Sequence, residues 1–183
     1  MQYDRDALIA LIKELALKFG DFQLASGKKA SFYLDCRKVT LHPQGANLIA
    51  AGLLDLLGDQ LPDAVGGMAI GADPITAAAI TLAGQRGLPL RGFIVRKESK
   101  QHGAGNDVEG PVNRGDSAII LEDTTTTGGS SLKAIDKAEA AGLRVQGVVS
   151  VVDRLEGASE TFSDRGYQFR SLLTVRDLGV EPA

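Results

Sequence analysis

Four short segments that are almost wholly apolar constrain this chain most: "AVGGMAIG" (64–71), "LRGFIV" (90–95), "SAIILE" (117–122) and "VQGVVSVVD" (145–153). A strand of this kind has no polar face to show to water, so both of its faces need cover. The intervening stretches 75–87 and 129–141 read as helices ending at Gly87 and Gly142. Apolar strands alternating with helices predict an α/β fold, a mostly parallel central sheet with helices on both faces. Upstream, Leu8, Ile12, Leu15 and Phe19 recur at helical spacing, which predicts a helix over 4–19 with Asp4 or Asp6 as cap and Gly20 as its end. Residues 31–37 and 167–175 read as strands, 44–57 as a helix, and 96–116 as a long polar connection.

In such folds ligands bind beyond the carboxyl ends of the strands. Unusual residues gather there: Asp73-Pro74, Arg96-Lys97, Glu122-Asp123 and Asp153-Arg154 follow the four apolar runs in turn. The length of 183 residues predicts one domain, 1–183. A net charge of −3 argues against a broad nucleic-acid surface, so cations act locally. The single cysteine, Cys36, excludes an intrachain disulfide and a Cys-rich metal site, and fits a cytoplasmic protein. No apolar run approaches the roughly 20 residues of a membrane helix. The first residues carry acids and no small-residue cleavage site, which does not fit a secretion signal.

The segment "AIILEDTTTTGGSSLKAI" (118–135) passes from an apolar strand to a helix. Two readings stand. It is an anion-binding turn, with the hydroxyls of Thr124, Thr125, Thr126 and Thr127, the close-approach residues Gly128 and Gly129, and a helix N-terminus facing the ligand; or it is a Thr-capped helix start, with Thr127 or a neighbour as cap. Glu122 and Asp123 suit sugar hydroxyls or a divalent cation, or form a solvated acid pair. The 96–116 connection holds Arg96, Lys97, Lys100 and His102 among glycines, and is either a loop that closes on an anion or an exposed charge run. "GADP" (71–74) reads as a second anion turn or a plain strand-to-helix turn in which Pro74 keeps the helix from starting earlier. Cys36 reads as a half-buried strand thiol, and His42 as a loop or helix-entry residue.

Taken together these residues resemble a known family. "IILEDTTTTGGSS" is similar to the phosphoribosyl-diphosphate (PRPP) signature of type I phosphoribosyltransferases. "RKESKQHG" resembles the KxHG catalytic loop of orotate phosphoribosyltransferase, "FQLASGKKASFYLDCR" its amino-terminal hood, and "VVDRLEG" its motif after the next strand. The resemblance covers nearly the whole chain in order.

It implies a type I phosphoribosyltransferase fold, with residues about 1–40 adding a helix and a small hood. It also implies transfer of ribose 5-phosphate from PRPP to orotate, giving orotidine 5′-monophosphate and pyrophosphate in pyrimidine synthesis. By matching position, Thr124, Thr125, Thr126, Thr127, Gly128, Gly129 and Ser130 cradle the 5′-phosphate, and Glu122 and Asp123 hold the ribose hydroxyls. Arg96, Lys97, Lys100 and His102 surround the pyrophosphate, with Ala72, Asp73 and Pro74 forming a second turn for it. Thr126, Arg154, Tyr33 and Leu34 contact orotate. Lys100, His102 and Asp123 are the catalytic residues. Mg²⁺ is the expected cofactor, held mainly by PRPP rather than by a protein metal site. The expected assembly is a homodimer whose loop reaches the partner's site, with no nucleic-acid or membrane partner. The chain departs from many relatives at Ala25, where they place a basic residue before the hood Ser-Gly; Lys28 and Lys29 lie close by. Two other readings remain at this point: a phosphoribosyltransferase for another base, and a PRPP-binding regulator.

Overall fold

The structure is a computed structural model that describes residues 2–23, 29–98 and 107–182. Ala25, Lys28, Lys100 and His102 lie outside the described residues.

Helix α1 (Arg5–Leu15) opens the chain, and Asp4 caps it by accepting the Ala7 N–H at 2.9 Å. The apolar spacing that predicts a helix to residue 19 is satisfied only to Leu15. Leu17–Gln23 (β1) instead pairs antiparallel with Lys29–Leu34 (β2). Leu8 and Ile12 are fully buried while Phe19 is 69% exposed, so the four residues that share one helical face on paper belong to two elements. The opposed pairs Leu17–Leu34 and Phe19–Phe32 of the hairpin override the local period. The strand expected over 31–37 stops at Leu34, and Cys36 lies in the turn before the short helix α2 (Arg37–Thr40). Helix α3 (Pro43–Leu57) follows, with Pro43 at its first position, where a missing N–H costs nothing, and His42 as its N-cap residue.

The remaining elements are β3 (Ala64–Met68), α4 (Ala72–Gln85), β4 (Arg91–Val95), β5 (Val108–Glu109), β6 (Ser117–Thr125), α5 (Gly129–Ala140), β7 (Arg144–Asp153), α6 (Ala158–Asp164), β8 (Gln168–Thr174) and a 3₁₀ turn (Val175–Leu178). They build a six-stranded sheet in the order β5-β4-β3-β6-β7-β8, parallel except for β5. The two-residue β5 falls inside the polar connection, and α6 was not expected; both are too short to show a period in sequence.

Side chains alternate across the sheet. Val65, Ile119, Leu121, Val149 and Val151 face α1, α3 and α4. Ala64, Met68, Ala118, Ile120 and Val148 face α5 and α6. Ile120 and Leu121 have no exposed surface, which is why the strand carries no polar alternation. Truncating either to Ala is expected to cost about 2–5 kcal/mol. From β3 the chain crosses to β4 on one side and later returns to β6 on the other. The β3/β6 boundary is therefore the point where the winding reverses, and a crevice opens there beyond the strand ends. Among the described residues no helix is long and apolar enough to cross a membrane.

Candidate active site

The crevice begins where β3 ends. Gly66 and Gly67 let it approach its neighbours: a Cβ on Gly66 would overlap the Phe93 carbonyl, and one on Gly67 would overlap the Leu121 carbonyl and stand 2.7 Å from Ala72 Cβ. The turn at 69–71 contains a cis Ala69–Ile70 peptide. Here the structure corrects the reading of "GADP". Helix α4 starts at Ala72 with Gly71 as N-cap, so Ala72, Asp73 and Pro74 form its first turn rather than precede it. Pro74 does not delay the helix, because a residue in the first turn needs no N–H partner. Within the turn the Asp73 N–H bonds the Ile70 carbonyl and Pro74 has none, while no side chain caps the helix, so its start, like that of α5, can still present donors to an anion. The Asp73 side chain lines a groove with Ile80, Gly92 and Ile94, and burial raises its carboxyl pKa.

Across the crevice, β6 runs further than its apolar core suggests. Glu122, Thr124 and Thr125 pair in register with Ser150, Val152 and Asp153 of β7, so both acids and two threonines are strand residues. Glu122 is only 7% exposed and accepts a 3.0 Å hydrogen bond from the Ser131 hydroxyl. Burial, and then the adjacent Asp123 charge, pushes its carboxyl up to about 7. Asp123 accepts the Thr124 N–H at 2.8 Å, and burial raises its carboxyl as well. A Cβ on Gly71 would sit 3.1 Å from Asp123 Oδ1 and 3.4 Å from Glu122 Oε1. The glycine at the β3 turn thus lets the backbone close on the acid pair.

The threonine run then resolves into two parts. Thr124 and Thr125 have buried hydroxyls with no hydrogen-bond partner among the described residues. Thr126 is half-buried, and Thr127, Gly129 and Ser130 are exposed. The N-cap of α5 is Gly128, in the left-handed region at φ 84°, and no side chain caps the helix. The Thr-capped alternative is thereby removed. The first N–H groups of an α-helix have no intrahelical acceptor, so the uncapped start of α5 presents donors and a positive dipole end to an anion.

At the end of β7, Asp153 is buried and accepts the Leu155 N–H at 2.8 Å, while the Arg154 N–H bonds the Thr125 carbonyl. The Arg154 guanidinium stacks 4.6 Å from the centre of the Phe32 ring. Its Nε lies 2.8 Å from Glu156, close enough for an ion pair but not aligned for a hydrogen bond. This stack ties the β1–β2 hairpin to the sheet. On that hairpin Leu34 is buried, whereas Tyr33 is 41% exposed with its ring 5.7 Å from that of Phe22.

At the end of β4, Arg96 bonds the Glu109 carboxylate at 2.6 Å rather than turning to the acid pair, and Lys97 is exposed. Sequence reasoning missed Ser131, Phe32 and Lys137, whose ammonium bonds the Arg96 carbonyl at 2.7 Å. For Ser131 a signal existed, since it extends the Thr/Gly/Ser run by one residue. For Phe32 and Lys137 none did. Cys36 is no nucleophile: it is 2% exposed, and burial pushes its thiol up to about 12.

No protein-family model matches the chain. Curated proteins do. The orotate phosphoribosyltransferase of Rhodopirellula baltica is 53% identical over 185 residues, spanning 98% of this chain and 96% of its own. The orotate phosphoribosyltransferase of Mycobacterium tuberculosis H37Rv, solved with Fe(III) dicitrate, superposes with a TM-score of 0.85 at 38% identity over 96% of this chain and 99% of its own. The same enzyme solved with PRPP gives 0.81 at 35% identity over the same shares. With a relative of that identity over nearly its full length and the type I architecture beneath it, this chain belongs to the orotate phosphoribosyltransferase family.

Proposed function

We propose that this chain transfers the ribose 5-phosphate of PRPP to orotate, releasing pyrophosphate and forming orotidine 5′-monophosphate. The observation that carries this reading is the uncapped start of α5 beside an acid pair, Glu122 buried and Asp123 half-buried, at the β3/β6 boundary, on a chain 53% identical to an orotate phosphoribosyltransferase. The N–H groups and hydroxyls from Thr126 to Ser130 hold the 5′-phosphate, with Thr124 and Thr125 shaping the strand end beneath it. Glu122 and Asp123 accept hydrogen bonds from the ribose hydroxyls. Thr126, Arg154, Tyr33 and Leu34 surround orotate, and the guanidinium suits its carboxylate or a carbonyl edge.

Loss of pyrophosphate builds positive charge on the ribose, as in oxocarbenium-like glycosyl transfer. The half-buried carboxylate of Asp123 offsets that charge where water screens it less than in bulk. Negative charge grows on the leaving group, and Arg96, Lys97, Lys100 and His102 answer it. His102 supplies a proton or a hydrogen bond. The orotate ring nitrogen reacts as an anion, so no general base is assigned.

Mg²⁺ fits as an ion brought by PRPP. Among the described residues no three acid, His or Cys side chains converge, and Mg²⁺ commonly binds substrate phosphates with only one or two carboxylates, here Glu122 and Asp123. The ion would neutralise diphosphate oxygens. The proposal includes a single domain and a homodimer in which part of the 96–116 connection serves the partner's site. Purified protein with Mg²⁺ and PRPP is expected to consume orotate, read as a fall in its ultraviolet absorbance. Acceptance of uracil or a purine in its place would overturn the assignment.

A further inference from the structure

We propose that Lys137 is a positioning residue, which holds the cationic end of β4 at a fixed distance from the anion cradle at the start of its own helix. The inference rests on the transferase reading above. Lys137 lies on α5, and its ammonium donates to the Arg96 carbonyl at 2.7 Å and the Lys97 carbonyl at 3.3 Å. It also lies 3.6 Å from the Asp107 carboxylate. Two of its three donors have carbonyl acceptors and a carboxylate stands beside it, so little of it is left to bind an anion directly. Its effect passes through the chain it holds.

That chain is the strand end from which Arg96 and Lys97 project. The Arg96 N–H bonds the Asp107 carbonyl at 2.8 Å, and β4 pairs with β5 through Val95–Val108 and Ile94–Glu109. The Arg96 guanidinium is in turn held on Glu109. Lys137 therefore fastens two backbone positions on one side and a carboxylate on the other, where the main chain departs and returns.

Helix α5 makes the spacing rigid. Ala134, Ile135 and Ala138 are fully buried and fix the helix on the sheet. Gly129 and Lys137 lie eight residues apart, or about 12 Å along the axis, and a helical side chain leans back toward the N-terminus and shortens that gap. Ser130 of the cradle, Lys97 of the strand end and Lys137 border one cavity with Met68, Lys133 and the acids Glu98 and Asp136. A ligand anionic at both ends spans a cradle and a cationic strand end set by the same helix.

The test compares two ligands that differ at one end. Pyrophosphate with Mg²⁺ reports on the strand end alone, and orotidine 5′-monophosphate reports on the cradle and orotate site alone. Lys137→Met keeps the bulk of the stem and removes the donors. It is expected to weaken pyrophosphate binding about tenfold, the worth of one charged hydrogen bond, and to leave the nucleotide within about twofold. Lys137→Arg is expected to recover part of the loss. Unchanged pyrophosphate affinity, or an equal loss for both ligands, overturns the proposal. Should Lys137→Met fail to fold by circular dichroism, Asp107→Asn removes the facing carboxylate charge instead. It is expected to shift pyrophosphate affinity in the same direction and by less, and no shift overturns the proposal. Wild-type protein that binds neither ligand refutes the transferase reading itself, whereas wild-type binding of both with an unchanged variant refutes only the positioning role.

Discussion

Replacing Glu122 by Gln tests how the site holds its charge. Glu122 is 7% exposed and is flanked by Asp123, Ser130, Ser131 and the turn at Gly71. Burial and the Asp123 charge raise its carboxyl from 4.5 to about 7. The folded protein therefore keeps a proton there that the unfolded chain has already released. Stability contributed by that proton is complete below about 4.5 and falls as pH rises, until above about 7 both states are ionised and the contribution is gone. The span between the two values is worth about 3 kcal/mol, an upper figure because the neighbouring Asp123 shares the titration. Gln keeps the shape and cannot ionise. In urea unfolding without ligand, the variant is expected to match wild type near pH 4 and to exceed it by up to about 3 kcal/mol near pH 8. The difference between the two curves reports on Glu122 together with its neighbour Asp123, since distant groups such as Asp63 and Asp116, whose pKa is lowered, act alike in both proteins. Parallel curves from pH 5 to pH 8.5 would refute the claim that this carboxyl is kept neutral by its surroundings. Turnover should fall in the same variant, because an amide presents one acceptor where a carboxylate presents two.

Gly128→Ala places a side chain at φ 84° with its Cβ 2.7 Å from the Phe162 ring, and is expected to cost about 2–3 kcal/mol, read as a lower thermal midpoint. An unchanged midpoint would show that the cradle does not depend on this backbone geometry. Cys36 should resist a thiol reagent at neutral pH until the protein unfolds, and Cys36→Ala should retain most activity. Rapid labelling of native protein would contradict the burial that holds the thiol near 12.

The central sheet was legible because its strands are buried on both faces, and a two-sided burial demand leaves a continuous apolar run. Helix ends were legible at Gly87 and Gly142, whose positive φ values of 71° and 98° are ones glycine adopts without strain. The N-terminal hairpin was not. Leu15 and Phe19 satisfy a helical spacing, yet residues from Leu17 onward are claimed by pairing with a strand that begins at Lys29, and no local period reports that partner. The acid pair and the threonine run stood out as composition, but their division did not. That Thr125 is 2% exposed and Thr127 exposed follows from how far β6 stays in register with β7. Ser131, Phe32 and Lys137 act through contacts with residues close in space and, for Phe32 and Lys137, far apart in sequence.

Two carboxylates beside an anion cradle look electrostatically opposed, and the geometry reduces the conflict. Glu122 carries its charge only in part near neutral pH, so the cradle faces less than two full negative charges. Ribose hydroxyls donating to the pair would favour its ionised form, which ties proton release to ligand binding. The leaving-group side raises the opposite difficulty. The first turn of α4 brings no cation, has one N–H satisfied by Ile70 and lacks another at Pro74, and carries the Asp73 carboxyl beside it. Ala25 brings no charge either. On the proposed reading, positive charge for a diphosphate then comes mainly from the β4 end and the connection beyond it, with Arg96, Lys97, Lys100 and His102. A few ångströms of drift there would cost more than in a chain with cations spread over the hood and both turns, since a pre-placed charge loses its advantage once it must be repositioned. On that reading the hold of Lys137 on the Arg96 and Lys97 carbonyls bears on the strand end from which much of that charge is offered.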